Sequence, residues 1–393
     1  MDGSPEMPQQ PSTSARRGLC LCGGGATGAA YQVGVLAALE SMIPGFRTSD
    51  FEVIVGTSAG SLVGALLAAG VPATRLYHSI TTEDDFFRIQ RSDVYQLDLR
   101  ETAWKLMRIG RVAARLGRQW ATDPSGDWRG LALGDLSAAL PDGLFSMAGY
   151  VQFIDRFLAQ HGLARTFSQL PGHLLVPVNN LDTGHRDVFG KGHRTDATIP
   201  EAIAASSAIP LFFSPVRIRG RDYIDGGSGR VAHVDLAQQA GMSHVLVINP
   251  IVPWNLERRL LERRGDDADI EGATLNRIRS RGMVAIWNQS FRMSNAVKLH
   301  MGLRRLRADR PDMALALLEP DEKDDTLFVT NPMDTDARAR IARVAFDATV
   351  ARLRDGGEAV RAVCLGLPDA RLHDGLRRHD ARTPKRDTAG APR

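Results

Sequence analysis

Short apolar runs closed by glycine, each followed by a longer segment of small residues, set the pattern of the first 70 positions. GLCLC (18–22) ends in Gly23-Gly24-Gly25, and a helical pattern, GAAYQVGVLAALE (28–40), follows and stops near Pro44. The next unit repeats the plan. FEVIV (51–55) stops at Gly56, turns through Thr57-Ser58-Ala59, and continues as a small-residue segment to Gly70 and Pro72. Strand, glycine loop, helix, strand, glycine loop, helix predicts a parallel sheet with helices packed on it, an α/β fold.

Further along, HLLVPVNN (173–180) reads as a strand, with LDTGHRDVF as a hairpin-like continuation turning at Gly184. TIPEAIAASSAIP (198–210) reads as a helix bounded by proline, SPVRIRGRDYIDGG (214–227) as two short strands around Gly220, and HVLVIN (244–249) as a buried strand. Residues 255–355 are mostly helical in pattern, with one strand-like run, MALALLE (313–319), and no internal repeat is visible. The charged cluster ERRGDDADIEG (262–272) marks the best boundary. The expected organisation is a disordered leader (1–17), a core domain (18–250), a mainly helical C-terminal extension (251–370) and a basic disordered tail (371–393).

Composition narrows this picture little. With 43% hydrophobic and 24% charged residues over 393 positions, the chain is ordinary globular material. No run of 18 uncharged apolar residues reads as a membrane span. The polar, proline-rich start, MDGSPEMPQQPSTSARR, lacks the apolar core of a secretory signal. Three cysteines, Cys20, Cys22 and Cys364, are too few for a disulfide framework and suit a reducing compartment. Cys20 and Cys22 would share one strand face as core residues, and no metal site is expected around them. These features point to the cytoplasm.

Candidate chemistry sits at the glycine turns. Gly56-Thr57-Ser58-Ala59-Gly60 matches G-x-S-x-G where a strand hands over to a helix. Such a corner needs residues without side chains on either side, so that the serine oxygen stands exposed at the sheet edge. The following helix then aims its N-terminal N–H groups and positive dipole end at that oxygen. A purely structural turn competes with this reading, and the strand–turn–helix context favours a nucleophile.

Gly23-Gly24-Gly25-Ala26-Thr27-Gly28 matches G-x-G-x-x-G. A dinucleotide-binding turn expects an acidic residue about 20 positions on. Glu40 comes too early, and Asp50 precedes the next strand rather than ending it. An oxyanion hole is favoured instead, with glycine-bared N–H groups aimed at a tetrahedral intermediate.

A serine also needs a base. None of the ten histidines stands in a context that suggests a triad, and His233 and His244 read as packing or surface residues. In DYIDGGSG, Asp225 closes an apolar strand directly before Gly226-Gly227. A partly buried carboxylate with a raised pKa can take the serine proton, yet Asp-Gly is also a common turn pair. Local sequence leaves those two roles level.

In their order, the three motifs resemble the pattern of the patatin-like phospholipases, supported by AIAASSAIPLFFSPV ahead of the Asp turn. The resemblance covers about residues 18–250. It implies a three-layer α/β fold with a mainly parallel central sheet and helices on both faces, plus a helical C-terminal extension. It also implies phospholipase A or lysophospholipase-like ester hydrolysis by a Ser–Asp dyad without histidine. Ser58 is then the nucleophile and Asp225 the base. Gly23, Gly24, Gly25, Gly28 and Ala59 form the oxyanion and substrate-binding set, and Gly56, Gly60, Gly226 and Gly227 are motif glycines. No metal or cofactor is implied. Two departures bear on substrate class. Thr27 stands where such proteins often carry Arg or Lys, and SGRVAHVD after Gly227 lacks the expected Asn-Pro pair.

A lipid substrate must be taken from an aggregate, so surface charge matters. In ETAWKLMRIGRVAARLGRQW (101–120), Arg108, Arg111, Arg115 and Arg118 fall on one helical face and Leu106, Ile109, Val112, Leu116 and Trp120 on another. A basic amphipathic helix with tryptophan is the signature of peripheral contact with anionic membranes; a packed surface helix with solvated arginines is the competing reading. Between Thr274 and Arg310 nine Lys/Arg face one acid, Asp309, with Trp287 and Phe291 among them, which raises the same question. No nucleic-acid recognition motif accompanies that charge, and none is expected. Calcium is not expected either, since no carboxylate-rich loop of EF-hand spacing occurs. Two other readings stay open: an α/β-hydrolase with a Ser-His-Asp triad, and a catalytically weak lipid-binding or regulatory module.

Overall fold

A computed structural model describes residues 15–82, 85–87, 91–94, 99–122, 142–255, 277–321, 327 and 337–367. β1 (Arg17–Leu21) leads into α1 (Gly25–Met42) and β2 (Val53–Gly56) into α2 (Ala59–Ala68), followed by α3 (Ala73–Thr81) and α4 (Leu99–Thr122). Next come β3 (Gly143–Phe145), α5 (Ala148–Gln160), β4 (His173–Asn180), β5 (Arg186–Gly190) and α6 (Ile199–Ser207). β6 (Leu211–Phe213), β7 (Val216–Ile218) and β8 (Arg221–Asp225) precede α7 (Val234–Gln239) and β9 (His244–Ile248). α8 (Met283–Asp309), β10 (Ala314–Leu318), α9 (Arg338–Arg354) and α10 (Glu358–Leu365) follow.

The main sheet runs in the order β10-β9-β1-β2-β4-β8-β7, with β5 also paired to β4. β10, β9, β1, β2 and β4 are parallel, while β5 and β8 pair antiparallel with β4. Alternation along the strands explains the layers. Leu19, Leu21, Ile54, Leu246 and Ile248 enter one core cluster, together with Leu36 of α1, Leu62 of α2 and Ile341 of α9. Cys20, Val53, Val55, Val245 and Val247 enter a second, with Leu236 of α7 and Leu299 of α8. Strands buried on both faces read as unbroken apolar runs, and the result is a three-layer α/β fold.

Cys20 and Cys22 share the second core as free, buried thiols, which burial pushes well above the usual thiol range. α6 starts where a capping box dictates: Thr198 Oγ1 accepts from Glu201 N–H, and the Glu201 carboxylate accepts from Thr198 N–H at 2.7 Å.

Two sequence expectations need adjustment. The first helix begins at Gly25, so Gly25 and Gly28 lie inside it. The segment taken as a helical extension also builds the core. β10 is buried along its whole length and pairs in parallel with β9, and Ile341, Ala342 and Ala345 of α9 join the first core cluster. ALALL is apolar on both faces, so it needs a covered place in a sheet rather than a surface of its own. The leader up to residue 14, the boundary cluster 262–272 and the tail 371–393 lie outside the described residues.

No described helix is long and apolar enough to cross a membrane. On α4, Arg111, Arg115 and Arg118 are exposed, as is Trp120, and Ile109 and Val112 are half-buried. The side chains of Arg108, Leu106 and Leu116 lie outside the described residues.

Candidate active site

The register of the parallel strands aligns the first two motifs. Leu21 of β1 stands opposite Gly56 of β2, so Gly23 and Ser58 each leave the same sheet edge two residues later. A methyl group placed on Gly23 would lie only 3.5 Å from Ser58 Oγ. The third motif arrives two strands away, where Asp225 at the end of β8 pairs with Val178 of β4.

The elbow is sharp and strained. Ser58 has φ 54° and ψ −128°, a conformation that residues with a Cβ rarely adopt. Close packing makes the corner possible. A Cβ on Gly60 would stand 2.5 Å from Leu21 O, so only glycine lets α2 start this close to the end of β1. The Ser58 N–H donates to Ser206 Oγ at 2.9 Å, and Ser206 Oγ donates to Pro177 O at 2.8 Å. Ser206 thus ties the elbow to α6 and β4. Ser206→Ala would leave the buried Ser58 N–H without its acceptor and is expected to cost about 1–3 kcal/mol. Urea unfolding of the two proteins measures this, and an unchanged midpoint would refute the role.

The glycine turn brings the start of α1 into the same cleft as the serine. Gly24 caps α1 with φ 132°, where a side chain would collide with Pro250 Cγ at 2.9 Å. The first N–H groups of a helix have no acceptor within it, and those of Gly24, Gly25 and Ala26 open α1 here.

Asp225 is 4% exposed, and Ser58 is buried to a similar degree. The carboxyl oxygen Oδ1 accepts from Gly227 N–H at 2.6 Å. Burial raises the Asp225 pKa to about 6, against smaller lowering effects from the Ser58 hydroxyl and the Gly227 N–H. The turn behind it is braced twice. Asn179 Nδ2 donates to Asp225 O at 2.7 Å, and the His233 ring meets Gly226 O through Nε2 at 3.2 Å. Arg186 reaches His233 Nδ1 at 3.1 Å and also holds Asp235. Arginine can only donate, so Nδ1 accepts and Nε2 carries the proton toward Gly226 O. Burial and the Arg186 charge push the His233 pKa down to about 3, keeping the ring neutral. Sequence alone suggested a packing residue; the structure makes His233 a brace for the Asp225 turn.

Gly23, Gly24, Gly25, Ser58, Asp225 and Gly227 line one cleft of about 710 Å³, part of it open to solvent. Its remaining walls are largely apolar and come from Ile209, Phe212, Ile251 and the start of α8. Trp287 and Phe291 stack with ring centres 5.4 Å apart, and Phe212 approaches Trp287 at 5.5 Å. Arg292 adds a buried guanidinium, hydrogen-bonded to Val252 O and Asn288 Oδ1 and pushed down to about 10 by burial. No histidine is among the described residues of this lining.

Several expected residues lie elsewhere. Gly28 sits one turn into α1, packed against Gly23 O and Pro250, and Ala59 opens α2; neither lines the cleft. Gly56, Gly60 and Gly226 are buried beneath it as close-packing positions. Thr27 is buried with its hydroxyl on Gly24 O, so it stabilises the turn and does not line the cleft. The walls from α8 were missed by sequence reasoning, although the Trp287–Phe291 spacing of four places two aromatic rings on one helical face. Among the described residues, no cluster of three His, Cys, Asp or Glu could hold a metal ion.

A buried serine at a strand-to-helix corner, a carboxyl group with a raised pKa and a glycine turn around one apolar cleft define an α/β protein of the nucleophile-elbow type. The chain belongs to the patatin-like phospholipase family, whose profile matches residues 19–236. Among its relatives is a "cGAMP-activated phospholipase" of Vibrio cholerae serotype O1, 27% identical over 224 residues, covering 53% of each chain. Another is the "Probable lipid hydrolase 463L" of Invertebrate iridescent virus 6, 22% identical over 54% of this chain and 61% of that protein. The chain therefore spans about half to three-fifths of the curated relatives it matches. Among solved structures, VipD from Legionella pneumophila matches with a TM-score of 0.35 at 15% identity, over 88% of this chain and 69% of the other.

Proposed function

We propose that the protein is a lipid acyl hydrolase, an esterase of phospholipase A or lysophospholipase type, working through Ser58 and Asp225. The observation that carries this reading is the shared cleft. Ser58, Asp225 and the Gly23–Gly25 turn line it together inside apolar walls, with no histidine among the described lining residues.

In the first step the Asp225 carboxylate takes the Ser58 proton as Oγ attacks the ester carbonyl. The oxygen that becomes negative is received by N–H groups of the Gly23–Gly25 turn, at the N-terminus of α1. Collapse expels the alcohol, which leaves with the proton held by Asp225, and an acyl-serine remains. Asp225 then takes a proton from water, the hydroxide attacks the acyl group, and Ser58 Oγ recovers the proton as the fatty acid departs. A carboxyl group with a pKa of about 6 is ionised at neutral pH yet basic enough to share in both transfers. Ile209, Phe212, Trp287 and Phe291 would hold the acyl chain.

The exposed Arg111, Arg115 and Arg118 of α4, with Arg108, would add attraction to anionic headgroups. The Ser–Asp reading is preferred over a Ser-His-Asp triad because no histidine is among the described residues of the cleft lining, and His233 engages Arg186 and Gly226 O through its ring nitrogens.

A fluorophosphonate probe tests the assignment directly. It should label the parent protein on Ser58, seen as a single adducted peptide by mass spectrometry, and leave Ser58→Ala unlabelled. A parent protein that stays unmodified would favour a lipid-binding or regulatory role.

A further inference from the structure

α8 carries apolar side chains all round, and only two of its sides are covered. Ala296, Leu299 and Leu303 are buried in the core, while Trp287 and Phe291 form the wall of the cleft. A third side faces outward: Met283, Ile286, Met293, Val297 and Met301 are between 46% and 83% exposed. At about 100° and 1.5 Å per residue, these five fall within an arc of about 80° and extend for about 27 Å. A surface helix ordinarily turns polar residues outward, whereas this side is apolar except at Ser290, and an exposed apolar patch of this kind marks an interaction site.

Charge identifies the partner. Arg277, Arg279 and Arg281 precede the stripe, and Arg304 and Arg305 follow it, all exposed. From 277 to 310 the sequence holds one acidic residue, Asp309. Position adds a second argument. Val284 is exposed and also lines the Ser58 cleft, so the stripe begins at the cleft mouth.

We infer that this face of α8 docks on an anionic lipid surface and seats the cleft mouth against the headgroups, so that an acyl chain enters without crossing water. The inference rests on the acyl-hydrolase reading of the cleft and names how its substrate is reached. Apolar side chains enter the acyl boundary while cations at both ends meet the headgroups. A nucleic acid would answer the charge and leave the five apolar side chains uncovered. A second copy docking antiparallel would bring the two arginine-rich ends together, against electrostatic complementarity.

The test uses full-length Ser58→Ala protein, so that hydrolysis cannot alter the vesicles, with and without Ile286→Gln, Met293→Gln and Val297→Gln. These positions face solvent, and glutamine keeps helix propensity. Co-sedimentation with phosphatidylcholine vesicles containing phosphatidylglycerol should fall at least ~tenfold in the triple variant, and the parent's binding should weaken in high salt. With Ser58 intact, the same triple variant should keep its rate on a water-soluble p-nitrophenyl ester within about twofold, while hydrolysis of the vesicles drops about tenfold. Vesicle binding equal to the parent's overturns the inference. So does a parent protein that is dimeric by sedimentation velocity and becomes monomeric in the triple variant. Vesicle binding that depends on the stripe, with no lipid hydrolysed by the Ser58-intact protein, would leave docking standing and remove the hydrolase reading instead.

Discussion

Replacing Ser58 by alanine is expected to lower kcat on a short-chain p-nitrophenyl ester by at least ~10⁴-fold, with KM little changed. Such a loss corresponds to about 5 kcal/mol of transition-state stabilisation. The apolar walls proposed to bind the acyl group would remain, as would the N–H groups of the glycine turn, but no covalent intermediate could form. Steady-state kinetics on the purified variant decide the matter, and a rate near the parent's would remove Ser58 from the chemistry. A companion variant separates chemistry from strain. Ser58→Gly should be equally inactive yet more stable than Ser58→Ala by roughly 1 kcal/mol. It relieves the φ 54° corner, worth about 1–3 kcal/mol, and gives back part of that gain through the flexibility of glycine in the unfolded chain. Thermal unfolding of the two variants side by side measures the difference.

Asp225→Asn is expected to abolish hydrolysis while making the fold more stable at neutral pH. The Gly227 N–H keeps an oxygen acceptor in the amide, so the turn loses little. What disappears is the cost of holding a charge inside the protein. Burial raises the Asp225 pKa from 3.8 to about 6. Below about pH 4 the carboxyl group is protonated in folded and unfolded chains alike and carries no such penalty. Between about pH 4 and 6 the unfolded chain releases the proton while the folded one retains it, and stability is lost across that window. Above about 6 the loss is complete, of the order of 3 kcal/mol. Urea unfolding should therefore show Asp225→Asn more stable than the parent at pH 7 and matching it near the acid end of the window. The parent's kcat/KM should rise through about pH 6 as the base ionises. A variant less stable than the parent at pH 7 would contradict the buried-charge account.

Much of the fold was legible in local pattern, for reasons particular elements make plain. GLCLC, FEVIV and HVLVIN carry consecutive apolar residues at Leu19–Cys22, Val53–Val55 and Val245–Ile248, a pattern that suits strands covered on both faces, and each contributes a strand of the parallel centre. HLLVPVNN forms β4 end to end, and Gly184 and Gly220 turn with positive φ where the chain reverses. MALALLE read correctly as a strand, but its place at the sheet edge beside β9 was invisible, because pairing between residues 70 positions apart leaves no mark on either segment. The same limit hid the walls of the cleft. Trp287 and Phe291 stood out only as aromatics in a basic stretch, and Ser206 and His233 as unremarkable polar residues, until packing brought them to Ser58 and Asp225.

By itself, then, the sequence determined the local conformations. Glycine at 24 and 60 and the apolar runs around them allow only a narrow set of turns, since steric exclusion acts between near neighbours in the chain. The tertiary structure decided the environment of each group. It buried Asp225 and thereby raised its pKa, aimed the N-termini of α1 and α2 at one edge, and left one side of α8 apolar and exposed. Desolvation and electrostatic fields depend on everything nearby in space, and most of what surrounds this cleft is far away along the chain.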